Sequence, residues 1–287
     1  MATVSIVTDS CASLPEEMLS RLGIRSVAYY IHRGQEVLRD LVTIQREEFL
    51  QWLMTARSLP TTASPGPGDY LEAYEQLAEQ GAEEIVSIHM SAAVSAAYQA
   101  ACTARTMYQE KRPDVRIEVI DTRTAGLCQG WMVIEAARLA LAGIHLDPIT
   151  RRVREMIPIT RMIQTADTLK YLYMGGRIGK AAGMAGSLLN IKPLIGMQDG
   201  VIVPVGRAHS RGQAYRQMAG MVSQVVGKGR ARVAYMHAGA LREVEKIREL
   251  VEDKVEVVES FFGELSPALA VHTGPGTAGV CYYPVEE

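Results

Sequence analysis

Net charge is what this sequence has least of: 30 lysines and arginines stand against 32 aspartates and glutamates in 287 residues. So balanced a chain sets up no overall field to draw in a polyanion, which argues against nucleic acid as a partner. Cysteine is nearly as sparse. Cys11, Cys102, Cys128 and Cys281 are dispersed without the spacing of a metal site, and a chain of this length needs no disulfide staples. Reduced thiols in a cytoplasm are expected, with no metal and no cofactor. Long apolar runs are missing too, since charged or polar residues interrupt each one. MATVSIVTDS enters a strand directly instead of forming a basic and apolar leader. The expectation is a protein neither exported nor membrane-spanning, with transient membrane contact at most. Phenylalanine is rare, three against fourteen methionines. Met packs irregular shapes at little strain and would suit an adaptable apolar pocket, although such stripes usually serve only a core.

What is present is a recurring pattern of strand, hydroxyl-rich turn and helix. Its fullest copy is EIVSIHM followed by SAAVSAAYQAACTARTMY, from Glu84 to Tyr108. Ile85, Val86, Ile88 and Met90 read as a buried strand, and the Ala-rich segment after Ser95 as a helix. Ligands collect at the carboxyl ends of parallel strands, which places Ser91 and Ser95 at a site. Ser95 is also a natural N-cap, so a merely capped core helix is the plainer reading.

The pattern recurs at Val4 to Val7 running into Thr8, Asp9 and Ser10, with Ser13 and Glu16 as a capping box, and again at RIEVIDTRTAG before a helix from about Leu127 to Ala142. Between these, IRSVAYYI alternates as one strand, Thr43 opens a helix through Met54, and Asp69 caps another to about Gln80. LPTTASPGPGD, crowded with proline and glycine, should hold no regular element. The alternation predicts an α/β fold of two domains. Residues 1–157 form a parallel doubly wound sheet, and residues 158–287 a mixed or antiparallel sheet with flanking helices. In the second domain RMIQTA reads as a strand, LKYLYM as a short helix and GGRIGKAAGMAGSLL as the way into a small-residue helix. IKPLIGM and VIVPVGR form a hairpin across Asp199-Gly200.

Motifs that would mark a nucleotide enzyme fail on spacing. In GGRIGK, Gly175 and Gly179 enclose three residues instead of the four a phosphate loop needs, and Ala181 follows Lys180. Gly274, Gly276 and Gly279 fit GxGxxG but have no βαβ unit to open. Asp9 and Asp121 have hydroxyl neighbours and read as caps or turns. His89 reads as a strand residue, and His272 before GPG as a turn residue.

Taken together, TDS at 8 to 10, LPTTASPGPGDY at 59 to 70, SAAVSAAYQAA at 91 to 101, IDTRTAG at 120 to 126, GGRIG at 175 to 179, NIKPLI at 190 to 195, DGVIVPVGRAHSR at 199 to 211 and HTGPGTAGV at 272 to 280 resemble the DegV family of bacterial fatty-acid-binding proteins. The resemblance spans nearly the whole chain. It implies a long-chain fatty acid enclosed between two α/β domains. The protein would be a non-catalytic subunit that presents the carboxylate to a separate fatty acid kinase, which makes acyl phosphate for phospholipid synthesis. Carried over by position, Thr62 and Ser95 are the carboxylate ligands with His272 beside them. Thr61, Ser91, Gly176 and Arg177 also fall at the site, and Arg207 at the kinase contact. Ala63, Ala96 and Ala97 depart from the family pattern by losing hydroxyls or glycine. The alternative is a hydrolase or transferase of acyl esters using His272 and Ser95.

Overall fold

The computed structural model describes residues 3–184 and 191–285. The first domain opens with β1 (Thr3–Asp9), a 3-10 turn (Ser10–Ala12), α1 (Glu16–Leu22), β2 (Ile24–Val27), β3 (Tyr30–Arg33) and β4 (Glu36–Arg39). It continues through α2 (Arg46–Thr55), β5 (Thr61–Ala63), α3 (Pro67–Glu79), β6 (Ala82–His89), α4 (Ala97–Lys111), β7 (Arg116–Asp121), α5 (Leu127–Leu141) and α6 (Leu146–Met156). The second domain runs through β8 (Arg161–Thr165), α7 (Lys170–Met174), a 3-10 segment (Gly179–Met184), β9 (Lys192–Gln198), β10 (Val201–Ala208) and α8 (Arg211–Val226). It ends with β11 (Arg230–His237), α9 (Leu241–Glu252), β12 (Glu256–Glu264), α10 (Pro267–Thr273) and β13 (Ala278–Val285).

The first sheet has the order β2-β1-β6-β7, parallel throughout. Helices cover both faces, with α5 and α6 on one and α3 and α4 on the other. This explains why β6 reads as a continuous apolar run: Ile85, Val86 and Ile88 are buried whichever face they meet. The second sheet, β10-β9-β8-β13-β11-β12, is antiparallel except where β11 meets β12. Helices α8 and α9 pack against it. We propose residues 157 and 158, between α6 and β8, as the boundary between the domains.

Helix α5 lies between the two sheets, touching β1 and β6 on one side and β11 and β13 on the other. A helix so placed must be apolar all round, and Leu127 to Ile134 are buried without a break. Trp131 meets Phe261 and Tyr283 edge-on, with ring centroids 5.0 Å and 5.6 Å away. One continuous apolar core therefore joins the domains and includes Val7, Trp131, Met236 and Tyr283.

The Asp199-Gly200 turn between β9 and β10 has both residues at positive φ, 53° and 81°, the geometry its sequence predicts. Ser91, fully buried, donates its hydroxyl to the Gly200 carbonyl at 2.7 Å and so pins the hairpin to the first domain. Ser91→Ala leaves that carbonyl without this partner. Thermal melts should show a loss of about 1 to 3 kcal/mol with ligand affinity unchanged.

Several local expectations are corrected. Ser13 and Glu16 make no capping box: Ser13 is left-handed (φ 56°), its hydroxyl accepts from Ser266 N, and Pro15 takes the cap position without a side-chain bond. IRSVAYYI is not one strand, because β2 and β3 belong to different sheets. Thr61–Ala63 is a strand despite its surroundings, since its prolines fall outside the three residues that pair with β3. It completes a small sheet, β4-β3-β5, that the sequence reading missed. His272 is helical, near the end of α10, a helix whose start is capped by Ser266. The small-residue helix expected after Gly175 lies partly outside the described residues, as does Asn190 of NIKPLI. Gly179–Met184 is a 3-10 segment.

Candidate functional site

Where the domains face each other they enclose a cavity of about 350 Å³, within the range of small-molecule sites. Its walls are largely apolar. Met90, Met162, Met197 and Met236 contribute thioethers, and Leu172, Leu265 and Leu269 contribute branched chains. Gly126, the residue before α5, also lines it at φ 61°. A Cβ there would lie 3.5 Å from Leu265, so a side chain would be strained in conformation and would take up cavity space.

The polar groups gather as two hydrogen-bonded pairs. On the turn before α4, Ser95 Oγ lies 2.6 Å from the hydroxyl of Tyr29 and accepts from Ala97 N at 3.2 Å. Ser95 thus caps α4 from one position earlier than expected, Ala96 being the residue at the helix boundary. On β5, Thr62 Oγ1 lies 2.8 Å from His272 Nε2 on α10. All four residues line the cavity.

The protons can be counted. Burial pushes the Tyr29 hydroxyl well above its ordinary range, so it stays protonated. The Tyr29 and Ser95 pair then holds two O–H protons and uses one between its own oxygens. Burial, helped by the Arg177 charge, lowers His272 to about 4, so its ring is neutral at pH 7 and carries one N–H. With the Thr62 hydroxyl, that pair again has two protons and one internal bond. Among the described residues His272 Nδ1 is buried without a partner, and it faces Gly175, where a Cβ would lie 2.4 Å away. Putting the ring proton on Nε2 keeps it bonded to Thr62 and leaves the Thr62 hydroxyl free to donate. Each pair can therefore offer one donor to an anion in the cavity.

The structure separates the predicted site residues. Thr62, Ser95, His272 and Arg177 line the cavity, and Ser64 stands beside them. Thr61 is exposed on β5, and Gly176 is exposed and absent from the lining. Ser91 spends its hydroxyl on Gly200 and does not reach the cavity. Arg207, near the end of β10, is exposed. Tyr29 was missed, for nothing in its own segment signals a partner 66 residues away.

His89 is a strand residue, as read, but a connected one. Fully buried, it places Nδ1 3.0 Å from Asp9 Oδ2 and Nε2 2.7 Å from Ser87, which accepts from Tyr74. This buried network does not line the cavity. Asp9 and Asp121 accept backbone N–H groups in the turns after β1 and β7, which fits the turn reading. No helix among the described residues is long and apolar enough to cross a membrane.

The family model described as "Uncharacterised protein, DegV family" matches residues 3–285. A DegV domain-containing protein of Deinococcus radiodurans is 31% identical over 285 residues, covering 99% of both chains. The solved fatty-acid-binding DegV family protein of Thermus thermophilus superposes with a TM-score of 0.92 at 30% identity, over 99% of this chain and all of its own. A stearic-acid-binding protein of Eubacterium ventriosum gives 0.89 at 25% identity, over 99% and 98%. With sequence and fold shared from β1 to β13, this chain belongs to the DegV family.

Proposed function

We propose that the protein binds a long-chain fatty acid in the interdomain cavity and presents its carboxylate to a separate kinase that makes acyl phosphate. The observation that carries this reading is one cavity lined both by methionines and leucines and by two hydrogen-bonded pairs, Tyr29 with Ser95 and Thr62 with His272. Burying about fourteen methylenes at ~0.8 kcal/mol each yields on the order of 11 kcal/mol gross, before the costs of association. A carboxylate buried without donors would be costly, and the pairs of Ser95 and Thr62 supply them. That solved members of the family bind fatty acids supports the same ligand.

The hydrolase alternative draws no support from the geometry. Ser95 is bonded to Tyr29 and Ala97, and His272 to Thr62, so the proposed nucleophile and base do not meet. Nor does a carboxylate among the described residues orient the other His272 nitrogen.

The test is to purify the protein from a heterologous host, denature it and examine the organic extract by mass spectrometry. Near-stoichiometric fatty acid is expected; an empty protein or a polar metabolite sinks the reading. Incubated with ATP, magnesium and fatty acid, the isolated chain should form no acyl phosphate, whereas addition of a cognate kinase should restore it. Arg207→Ala should weaken that coupling while fatty acid stays bound, since its exposed side chain lies away from the cavity.

A further inference from the structure

A second hollow, a cleft of about 750 Å³, lies beside the fatty-acid cavity and shares two residues of its wall, Met162 and Met197. The backbone pairing of β8 with β9 is confined to Gln164↔Ile195 and Thr165↔Leu194. Carried on by two residues in the same antiparallel register, it sets Met162 opposite Met197. There the ladder has ended, and Met162 and Met197 border both spaces. The residue between them on β9 cannot help: a Cβ on Gly196 would lie 2.7 Å from the Met162 carbonyl.

Unbranched thioether chains change rotamer at little cost, so a partition built from them can be displaced where a branched or aromatic one would hold. Beyond it the cleft offers further apolar surface from Val203, Val205, Met221 and Tyr282. Neither hydroxyl pair borders the cleft. The shared wall is thus a part of the cavity distinct from the one that receives the carboxylate.

We propose that Met162 and Met197 form the end wall for the acyl tail and set the longest chain the protein accepts, with the cleft as the space beyond. This rests on the fatty-acid reading above. While a tail is still filling the cavity, each added methylene should raise affinity roughly fourfold. Once it reaches the two methionines the gain should stop.

The test is a displacement titration of ligand-stripped protein with saturated fatty acids from myristic to lignoceric acid. It compares wild type with Met162→Ala, Met197→Ala, the double variant and Met221→Ala, which alters the cleft without touching the wall. Wild type and Met221→Ala should share one chain length at which affinity stops rising. In the wall variants the rise should continue at roughly fourfold per methylene through at least two further carbons. An unchanged break point in the wall variants overturns the proposal while leaving fatty-acid binding intact. If wild type binds no member of the series, the fatty-acid reading fails first and the proposal with it. Should the double variant not fold, Met197→Ala decides, because Met197 is only half-buried.

Discussion

Replacing Ser95 by alanine is expected to weaken fatty-acid binding about ten- to a hundredfold, while the melting temperature of the ligand-stripped protein falls only slightly. The Ser95 oxygen already receives the Ala97 amide and lies 2.6 Å from the Tyr29 hydroxyl, whose proton burial retains. When the Tyr29 hydroxyl donates to Ser95, the serine's own proton is left for the ligand. Its loss removes a hydrogen bond to a charged group, worth ~1.5 to 3 kcal/mol. The cap to α4 goes as well, a stability term of ~1 kcal/mol visible in the melt. Thr62→Ala should behave likewise, and Tyr29→Phe should cost less than either, since Ser95 keeps its proton. Fluorescent fatty-acid titrations and melts of the stripped proteins, with Ser223→Ala on α8 as a remote control, decide this. Wild-type affinity in Ser95→Ala and Thr62→Ala, with lowered melts, would make both hydroxyls structural.

Elements whose register is set by neighbours in sequence could be read in advance. The β9 to β10 hairpin follows from Asp-Gly between apolar runs, because only the turn has to be satisfied. The parallel sheet follows from three copies of strand, turn and helix. What could not be read depends on partners far along the chain. β5 is a strand only because β3 is beside it, and α10 is held by first-domain groups such as Asp40, which accepts from Ala268 N. Site membership shows the same limit. Ser91 and Ser95 both sit in the turn after β6, yet one points at the hairpin and the other at the cavity. Spacing brings a hydroxyl to a turn but not to a face of it. Thr61 and Thr62 make the point more simply, since adjacent strand residues face opposite ways and only one can look inward.

Two buried groups should oppose each other in acid, and separating them is expected to reveal swings of about 3 kcal/mol. His272 titrates at about 4 in the folded protein against 6.5 for the free group. As pH falls from about 6.5 to 4 the unfolded chain takes up this proton and the native one does not, so stability is lost. Asp40 is the reverse: burial raises it from 3.8 to about 6, against the hydrogen bonds from Ser10 and Ala268. Between those values the native chain holds a proton that the unfolded one lacks, so stability is gained as pH falls. The two effects, each on the order of 3 kcal/mol and opposite in sign, largely cancel between pH 6 and 4. Urea denaturation of ligand-stripped protein at intervals from pH 7 to 4 should therefore show His272→Gln gaining on wild type as the solution is acidified. Asp40→Asn should lose ground over the same range. Parallel curves for a variant and wild type would mean that its group titrates normally in the fold. The pairing has a structural basis, because Asp40 anchors the start of α10 and His272 lies near its end. The helix that carries the imidazole to Thr62 is thus held in place by a carboxyl group whose proton traffic offsets its own.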